Sequence, residues 1–124
     1  MDYVLVFVGA GAGGALRHGV NVLSVKAWGL NFPYGTMLIN IAGSLAMGLL
    51  VEYLALKGSA PQQIRLFLAT GVLGGFTTFS AFSLETALLY ERGQLLLAAL
   101  YAAASVGLSL AALFAGLHIV RGLA

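Results

Sequence analysis

The sequence has no cysteine and very little charge. Only 8% of its 124 residues are charged, against roughly 25% in ordinary soluble domains, whereas 60% are apolar. The missing cysteines exclude disulfides and thiolate chemistry. A soluble fold of this size could not cover so much apolar surface, so the composition predicts an integral membrane protein. The net charge of +2 offers no basic face for a nucleic acid.

Two further absences narrow the functional class. No Lys or Arg precedes the first apolar run, where Asp2 is the only charge, so we expect no cleavable signal peptide. The chain also lacks an HExxH, Walker or GxSxG motif and a pair of carboxylates suited to acid–base chemistry. The sequence therefore does not predict an enzyme.

Four segments are long enough to cross a bilayer, which takes about 20 residues. They run from about 3 to 24, 34 to 56, 63 to 90 and 94 to 120. The connections leave no room for a soluble domain, so we expect one all-α transmembrane domain over residues 1–124. The third segment is too long for one straight span, and we predict a break in it at 74–78.

The predicted break is the most unusual feature of the chain. Gly74-Gly75 would interrupt the helix and Thr77-Thr78 would restart it. An unpaired backbone group in hydrocarbon costs several kcal/mol unless protein, water or an ion satisfies it. A broken membrane helix therefore suggests an ion site at the break. Phenylalanines recur around the restart at every third position, Phe76, Phe79 and Phe82, with Ser80 and Ser83 beside them.

Two polar stripes at four-residue spacing accompany the break, and each lies on one helical face. The stripes are Thr36, Asn40 and Ser44 in the second span, and Tyr101, Ser105 and Ser109 in the fourth. They are compatible with the walls of a polar pathway. Serine and threonine in membrane helices also bond back to their own helix, so both interpretations stay open for the hydroxyls. An amide is harder to satisfy locally, which favours a functional role or an interhelical lock for Asn40.

The chemistry of these side chains suits an anion. Phenylalanine rings have positive edges, and hydroxyls and an amide NH2 donate hydrogen bonds. Alternatively, such a phenylalanine repeat is apolar filling. Arg17 closes the first apolar run and either attracts anions at a pore mouth or extends to the membrane interface. Glu85 lies about two turns beyond the break, at a position suited to a water-filled vestibule.

The positive charges give the chain no preferred orientation. With four spans, three of them lie near span ends on one side of the membrane and three on the other. The first side carries Lys57, Arg65 and Arg121, and the second carries Arg17, Lys26 and Arg92. Lys/Arg bias sets orientation, so this balance predicts insertion in both directions, unless it is ordinary scatter in a short chain.

Three motifs in order resemble the Fluc (CrcB) family of fluoride channels over essentially the whole chain. They are Gly13-Gly-Ala-Leu-Arg17, Gly35-Thr-Met-Leu-Ile-Asn40, and the segment from Gly71 to Glu85 with Gly-Gly-Phe-Thr-Thr-Phe-Ser-Ala-Phe-Ser at its core. The third motif is the most specific. The resemblance implies a passive channel that lets fluoride leave a prokaryotic cell through the inner (plasma) membrane, relieving fluoride toxicity. It also implies an antiparallel, dual-topology homodimer with two pores.

The family's functional residues correspond to positions of this chain. The resemblance implies a pore asparagine at Asn40, paired pore phenylalanines at Phe79 and Phe82, and a vestibular arginine at Arg17. It implies a polar track at Tyr101, Ser105 and Ser109, to which we add Thr36 and Ser80 as pore residues and Glu85 in the vestibule. A structural, non-transported Na⁺ would be held by the backbone carbonyls of Gly74 and Thr77.

The alternative is a small four-helix multidrug exporter that exchanges protons for cationic drugs. That class needs a membrane-embedded carboxylate in its first span, and residues 3–24 contain no Asp or Glu. A non-transporting assembly subunit is a third possibility, but it would not explain a broken helix.

Overall fold

The computed structural model describes residues 1–29, 32–58 and 61–123, and the secondary structure of these residues is entirely helical. The long helices are α1 (Asp2–Trp28), α2 (Tyr34–Lys57), α5 (Phe79–Glu91) and α6 (Leu95–Leu123). Between α2 and α5 lie α3 (Gln62–Arg65), a π-helical segment (Leu66–Leu73) and α4 (Gly74–Phe76). Four stretches are long and apolar enough to cross a membrane: Asp2–Trp28, Tyr34–Lys57, Gln62–Glu91 and Leu95–Leu123. The prediction of an all-helical protein with four membrane-spanning segments is confirmed.

Glycines with positive φ follow three of the long helices, Gly29 after α1, Gly58 after α2 and Gly93 after α5. Gly58 closes α2 in the left-handed conformation at φ 73°, and its N–H donates to the Leu54 carbonyl. Gly93, at φ 78°, turns the chain between α5 and α6. A residue without Cβ adopts these angles at no steric cost. These glycines allow short connections between consecutive membrane-spanning segments.

Small residues let the spans approach at backbone distance. A Cβ built on Gly9 would lie 2.7 Å from the Phe67 carbonyl oxygen, so α1 touches the π-helical segment directly. A Cβ on Gly116 would lie 2.6 Å from the Leu45 carbonyl oxygen, which brings α6 equally close to α2. In membranes helix association depends on such close packing, because lipid is as apolar as the helices. An ion pair, Arg121 Nη2 to Glu52 Oε1 at 3.2 Å, also joins α2 to α6 near their ends.

Within the interval 74–78 only two residues leave the helical conformation. Thr77 (φ −80°, ψ 158°) and Thr78 (φ −150°, ψ 123°) are extended, and α5 starts at Phe79. Gly74 and Gly75, which the sequence analysis placed at the break, are helical in α4. Gly75 has a different reason to be glycine: a Cβ there would lie 2.5 Å from the Ala10 carbonyl oxygen. It is needed where α1 packs against the third span.

Candidate functional site

The side chain of Asn40 on α2 is hydrogen-bonded to the main chain at the break in the third span. Its Nδ2 donates to the Thr78 carbonyl at 3.0 Å, and its Oδ1 accepts from the Thr78 N–H at 2.9 Å. Both halves of the amide are therefore used on the main chain of one residue. The sequence analysis left a functional role and an interhelical lock open for Asn40, and the geometry is that of a lock located at the break.

Thr78 also starts the helix that follows the break. Its Oγ1 accepts from the Ala81 N–H at 3.2 Å, which makes it the N-cap of α5. The exposed hydroxyl of Ser80, a predicted pore residue, lies 3.2 Å from the same Oγ1. The two threonines thus have different tasks, because Thr77 bonds back through its hydroxyl to the Leu73 carbonyl at 3.1 Å.

The break leaves the main-chain carbonyls of residues 74–77 without their helical donors, and those of Gly74 and Thr77 are at the two ends of this set. In a continuous α-helix the N–H of Thr78 would bond to the Gly74 carbonyl, and the N–H of Ala81 to the Thr77 carbonyl. Here these N–H groups donate instead to the side chains of Asn40 and Thr78. The carbonyls of Gly74 and Thr77 are the two oxygens that the sequence analysis assigned to a cation. Among the described residues no cluster of three or more His, Cys, Asp or Glu could hold a metal ion.

A groove of about 320 Å³ opens beside the break, between α2, α5 and α6. It brings together five of the predicted pore residues: Asn40, Phe79, Phe82, Ser105 and Ser109. The rings of Phe79 and Phe82 are 5.6 Å apart, and Phe79 is 77% exposed in the isolated chain. The groove thus has a phenylalanine pair near its start and serine hydroxyls along one wall. Leu113 lines it too.

The hydroxyls of the α6 stripe are buried and unsatisfied. Within the described part of the chain, the side-chain oxygens of Tyr101, Ser105 and Ser109 make no hydrogen bond. The Tyr101 hydroxyl lies beside Thr36 and Ser105, but without normal hydrogen-bond geometry. Leaving a buried polar group unpaired costs about 1–3 kcal/mol. Three such groups along one helix face indicate a path for water or a polar solute.

Thr36 and Glu85 lie at a second cavity rather than in the groove. The Thr36 hydroxyl donates to the Glu85 carboxylate across α2 and α5. Both residues line a cavity of about 390 Å³, together with Asn21 and Arg92. Asn40 and Thr36 are one turn apart on α2, so the two cavities follow one another along this helix. Arg17 is half-buried on α1 and does not belong to the described lining of either cavity.

Several residues that line the two cavities were not predicted from the sequence, among them Gly43, Met47 and Phe32. Gly43 and Met47 line the groove and share the α2 face of Asn40 at three- and seven-residue spacing, a signal that was available. Phe32 lines the second cavity and packs against Tyr101 with ring centroids 5.4 Å apart. Phe32 lies in the connection between α1 and α2, where no helical periodicity in the sequence predicts which way its side chain faces.

Comparison with known proteins agrees with the predicted family. The family model described as "CrcB-like protein, Camphor Resistance (CrcB)" matches residues 4–117. A protein of Nitrobacter hamburgensis named fluoride-specific ion channel FluC 2 is 62% identical over 123 residues, covering 99% of both chains.

Two further relatives are named fluoride-specific ion channel FluC. One, from Granulibacter bethesdensis, is 60% identical and covers 99% of this chain and 97% of its own. The other, from Rhodopseudomonas palustris strain BisB5, is 56% identical over 99% of both chains. These names agree with the prediction that the chain is a membrane transport protein and not an enzyme. The chain belongs to the CrcB-like family.

Proposed function

We propose that the chain forms a fluoride-selective passive channel through which fluoride leaves the cytoplasm across the prokaryotic inner (plasma) membrane. The observation that carries this proposal is the groove at the helix break. It combines the phenylalanine pair with buried serine hydroxyls that have no partner in the described chain. Hydroxyl donors and positive ring edges suit a small anion. Among the residues that the structure describes, no ionised side chain lines the groove to trap it.

The direction of transport follows from weak-acid chemistry. Neutral HF crosses a bilayer from acidic surroundings and ionises in a neutral cytoplasm, where the anion is trapped. An inside-negative potential favours exit of an anion by about 2.3 kcal/mol per 100 mV. A passive pore is then sufficient to lower cytoplasmic fluoride and relieve its toxicity. Thr77 and Thr78 lie at the centre of the 30-residue span Gln62–Glu91, so we place the break near the middle of the membrane.

A second, antiparallel copy of the chain would complete the pathway. The groove is open on one side in a single chain, and Phe79 is largely exposed there. Three hydroxyl side chains of the third span are also exposed, where lipid would otherwise meet them: Thr70, Ser80 and Ser83. Equal numbers of positive charges near the two sets of span ends support insertion in both directions. Together these features favour the homodimer that the family resemblance implies.

The break also fits a structural Na⁺. Sodium takes oxygen ligands, and the carbonyls of Gly74 and Thr77 have lost the N–H donors of a continuous helix. Gly74 lies on an exposed part of the chain, where a second copy could supply the matching oxygens. A bound cation would neutralise the dipoles of these carbonyls and hold two broken helices together. Only main-chain oxygens of Gly74 and Thr77 would hold the ion, which would remain in place while fluoride passes.

The proton-coupled exporter is not supported. In the structure α1 carries its single carboxylate, Asp2, in its first turn, away from the middle of the span. The names of the chain's relatives are those of ion channels.

The proposed function predicts fluoride efflux that depends on the phenylalanine pair. Purified protein in liposomes should release fluoride and retain chloride. Phe79→Ile and Phe82→Ile should each lower the efflux rate by about tenfold, because a lost ring-edge contact is worth about 0.5–1.5 kcal/mol. A fluoride electrode measures the rate, and size-exclusion chromatography checks assembly.

Phe114→Ile is the matched control for these variants, since Phe114 on α6 is also exposed, at 56%, but does not line the groove. It should keep the wild-type efflux rate. Wild-type rates in both Phe79→Ile and Phe82→Ile would exclude the phenylalanine pair from the pore. Equal release of fluoride and chloride by the unmodified protein would contradict a selective channel.

The balance of charge predicts that the chain inserts in both orientations. A reporter fused to the carboxyl terminus should register on both sides of the membrane, because three Lys/Arg residues lie near span ends on each side. Three lysines added after Leu123 should shift the reporter to the cytoplasmic side. Three glutamines at the same place are the control and should leave the distribution unchanged. Labelling of the unmodified chain on one side only would contradict dual topology.

A further inference from the structure

Tyr101 is held between two aromatic rings from different parts of the chain. It is completely buried on α6. The Phe82 ring lies 5.4 Å from its ring at an interplanar angle of 36°. The Phe32 ring lies at the same distance at 89°, an edge-to-face arrangement. Phe82 belongs to the phenylalanine pair of the groove, whereas Phe32 comes from the connection between α1 and α2.

Phe32 is itself fixed in place by the ends of two helices. Its ring is 4.8 Å from that of Tyr34, the first residue of α2. The Tyr34 ring in turn is 5.7 Å from that of Trp28, the last residue of α1. Six aromatic side chains therefore form one continuous column from the end of α1 to the helix break. Its members are Trp28, Tyr34, Phe32, Tyr101, Phe82 and Phe79.

Phe32, in the inner part of this column, differs from the aromatic residues that anchor proteins at membrane interfaces. Trp and Tyr gather at membrane interfaces because one part of the ring system is polar, and the exposed Trp28 and Tyr34 fit that description. Phe32 has no polar atom in its side chain. It turns inward and packs against the cluster of Leu89, Ala98 and Tyr101. Interface anchoring does not explain this position.

The position of the Tyr101 ring decides where its hydroxyl lies. That hydroxyl is buried beside Thr36 and Ser105 without a normal hydrogen bond. Of these two neighbours, Ser105 lines the groove and Thr36 lines the second cavity, which Phe32 also lines, whereas Tyr101 itself belongs to the described lining of neither. A ring held on one side only could tilt about its Cα–Cβ bond and carry the hydroxyl away from Ser105. The rings of Phe82 and Phe32 lie against Tyr101 and oppose such a tilt.

Building on the proposed function, we propose that Phe32 is a positioning residue of the anion pathway. Its ring holds Tyr101 against Phe82 and so keeps the Tyr101 hydroxyl in line with Ser105 as a donor to the passing anion. The connection between α1 and α2 is then part of the conduction machinery, although Phe32 does not line the groove itself.

The test measures fluoride efflux from liposomes in two backgrounds. Phe32→Leu should lower the efflux rate of the otherwise unmodified protein by about tenfold, because an edge-to-face ring pair is lost. Phe32→Tyr keeps the ring and should restore most of the rate. In the Tyr101→Phe background the hydroxyl is gone, so Phe32→Leu should change the rate by about twofold or less. If Phe32→Leu fails to assemble, Phe32→Met takes its place, because methionine keeps the apolar bulk without the ring. Phe32→Met should then lower the efflux rate by about the same factor of ten.

Phe7→Leu is the matched control, since Phe7 is 80% exposed on α1 and takes no part in the column. It should leave efflux unchanged. A structural role alone would lower efflux by the same factor in both backgrounds, and that result would overturn the positioning role, as would wild-type efflux in Phe32→Leu. Fluoride release by the unmodified protein in the same assay would leave the proposed function intact in either case.

Discussion

Asn40→Ala should reduce fluoride efflux by about a hundredfold or more, since each of two hydrogen bonds lost at a buried site costs about 1–3 kcal/mol. The alanine would leave both the N–H and the carbonyl of Thr78 without partners at the break. Unpaired main-chain groups in hydrocarbon favour a return to continuous helix. Closing the break would move Phe79 and Phe82 away from the α6 hydroxyls. A fluoride electrode on proteoliposomes measures the loss.

The matched control is Gln63→Ala, which removes an amide of the same chemistry from an exposed position in α3. It should retain the wild-type rate. Asn40→Ala should still be recovered as an assembled protein, because α2 and α6 pack through glycines at Gly48 and Gly116 that do not involve the break. Wild-type efflux in Asn40→Ala would show that the amide bridge is unnecessary for conduction.

Asn40 also shows how far sequence reasoning extends in this chain. An unpaired amide in an apolar membrane-spanning segment costs free energy. This cost alone predicts that Asn40 has either a functional role or a hydrogen bond to another helix. Its partner could not be predicted, because that partner is the main chain of Thr78, 38 residues later. Side-chain patterns reveal which face of a helix is polar, but not which backbone group on another helix will meet it.

The helix break illustrates a different ambiguity. Adjacent glycines signal either freedom of the backbone or close approach of another chain segment. At Gly74-Gly75 the sequence analysis assumed freedom, whereas the structure uses Gly75 for the approach of Ala10. The extended residues are Thr77 and Thr78 instead. The signal for α5 was present in the sequence, since a threonine before a helical run is a favoured N-cap.

The membrane-spanning segments could be predicted from the sequence, whereas the column of aromatic side chains could not. Length and apolar composition determine that four segments cross a membrane, and no tertiary information is needed for this. Phe32 lies outside every span, and its contact with Tyr101 joins residues 69 positions apart. Only the folded arrangement of α1, α2 and α6 brings these rings together, so Phe32 could not be assigned to the site from its position in the sequence.

The close approach of α1 predicts a large difference between two adjacent glycines. Gly75→Ala should prevent α1 from docking, because the new Cβ would lie 2.5 Å from the oxygen and 2.7 Å from the Cα of Ala10. Overpacking of this kind costs about 1–3 kcal/mol or more when backbone must move. We expect Gly75→Ala to be lost as aggregate, with little assembled protein by size-exclusion chromatography and no fluoride efflux.

Gly74→Ala is the matched change one residue earlier, and it should be far milder. Within one chain its Cβ would meet only the Ala69 carbonyl oxygen, at 3.5 Å, an ordinary contact. The Gly74 carbonyl proposed to hold Na⁺ is retained in this variant. Thr77→Ala should also be mild, since its main-chain oxygen is kept. It loses the bond to the Leu73 carbonyl and the contact of its methyl group with α2 at Gly43. Equal loss of assembly in Gly74→Ala and Gly75→Ala would contradict the contact with Ala10 as the reason for glycine at position 75. Recovery of wild-type assembly in Gly75→Ala would contradict the close packing of α1 on the third span.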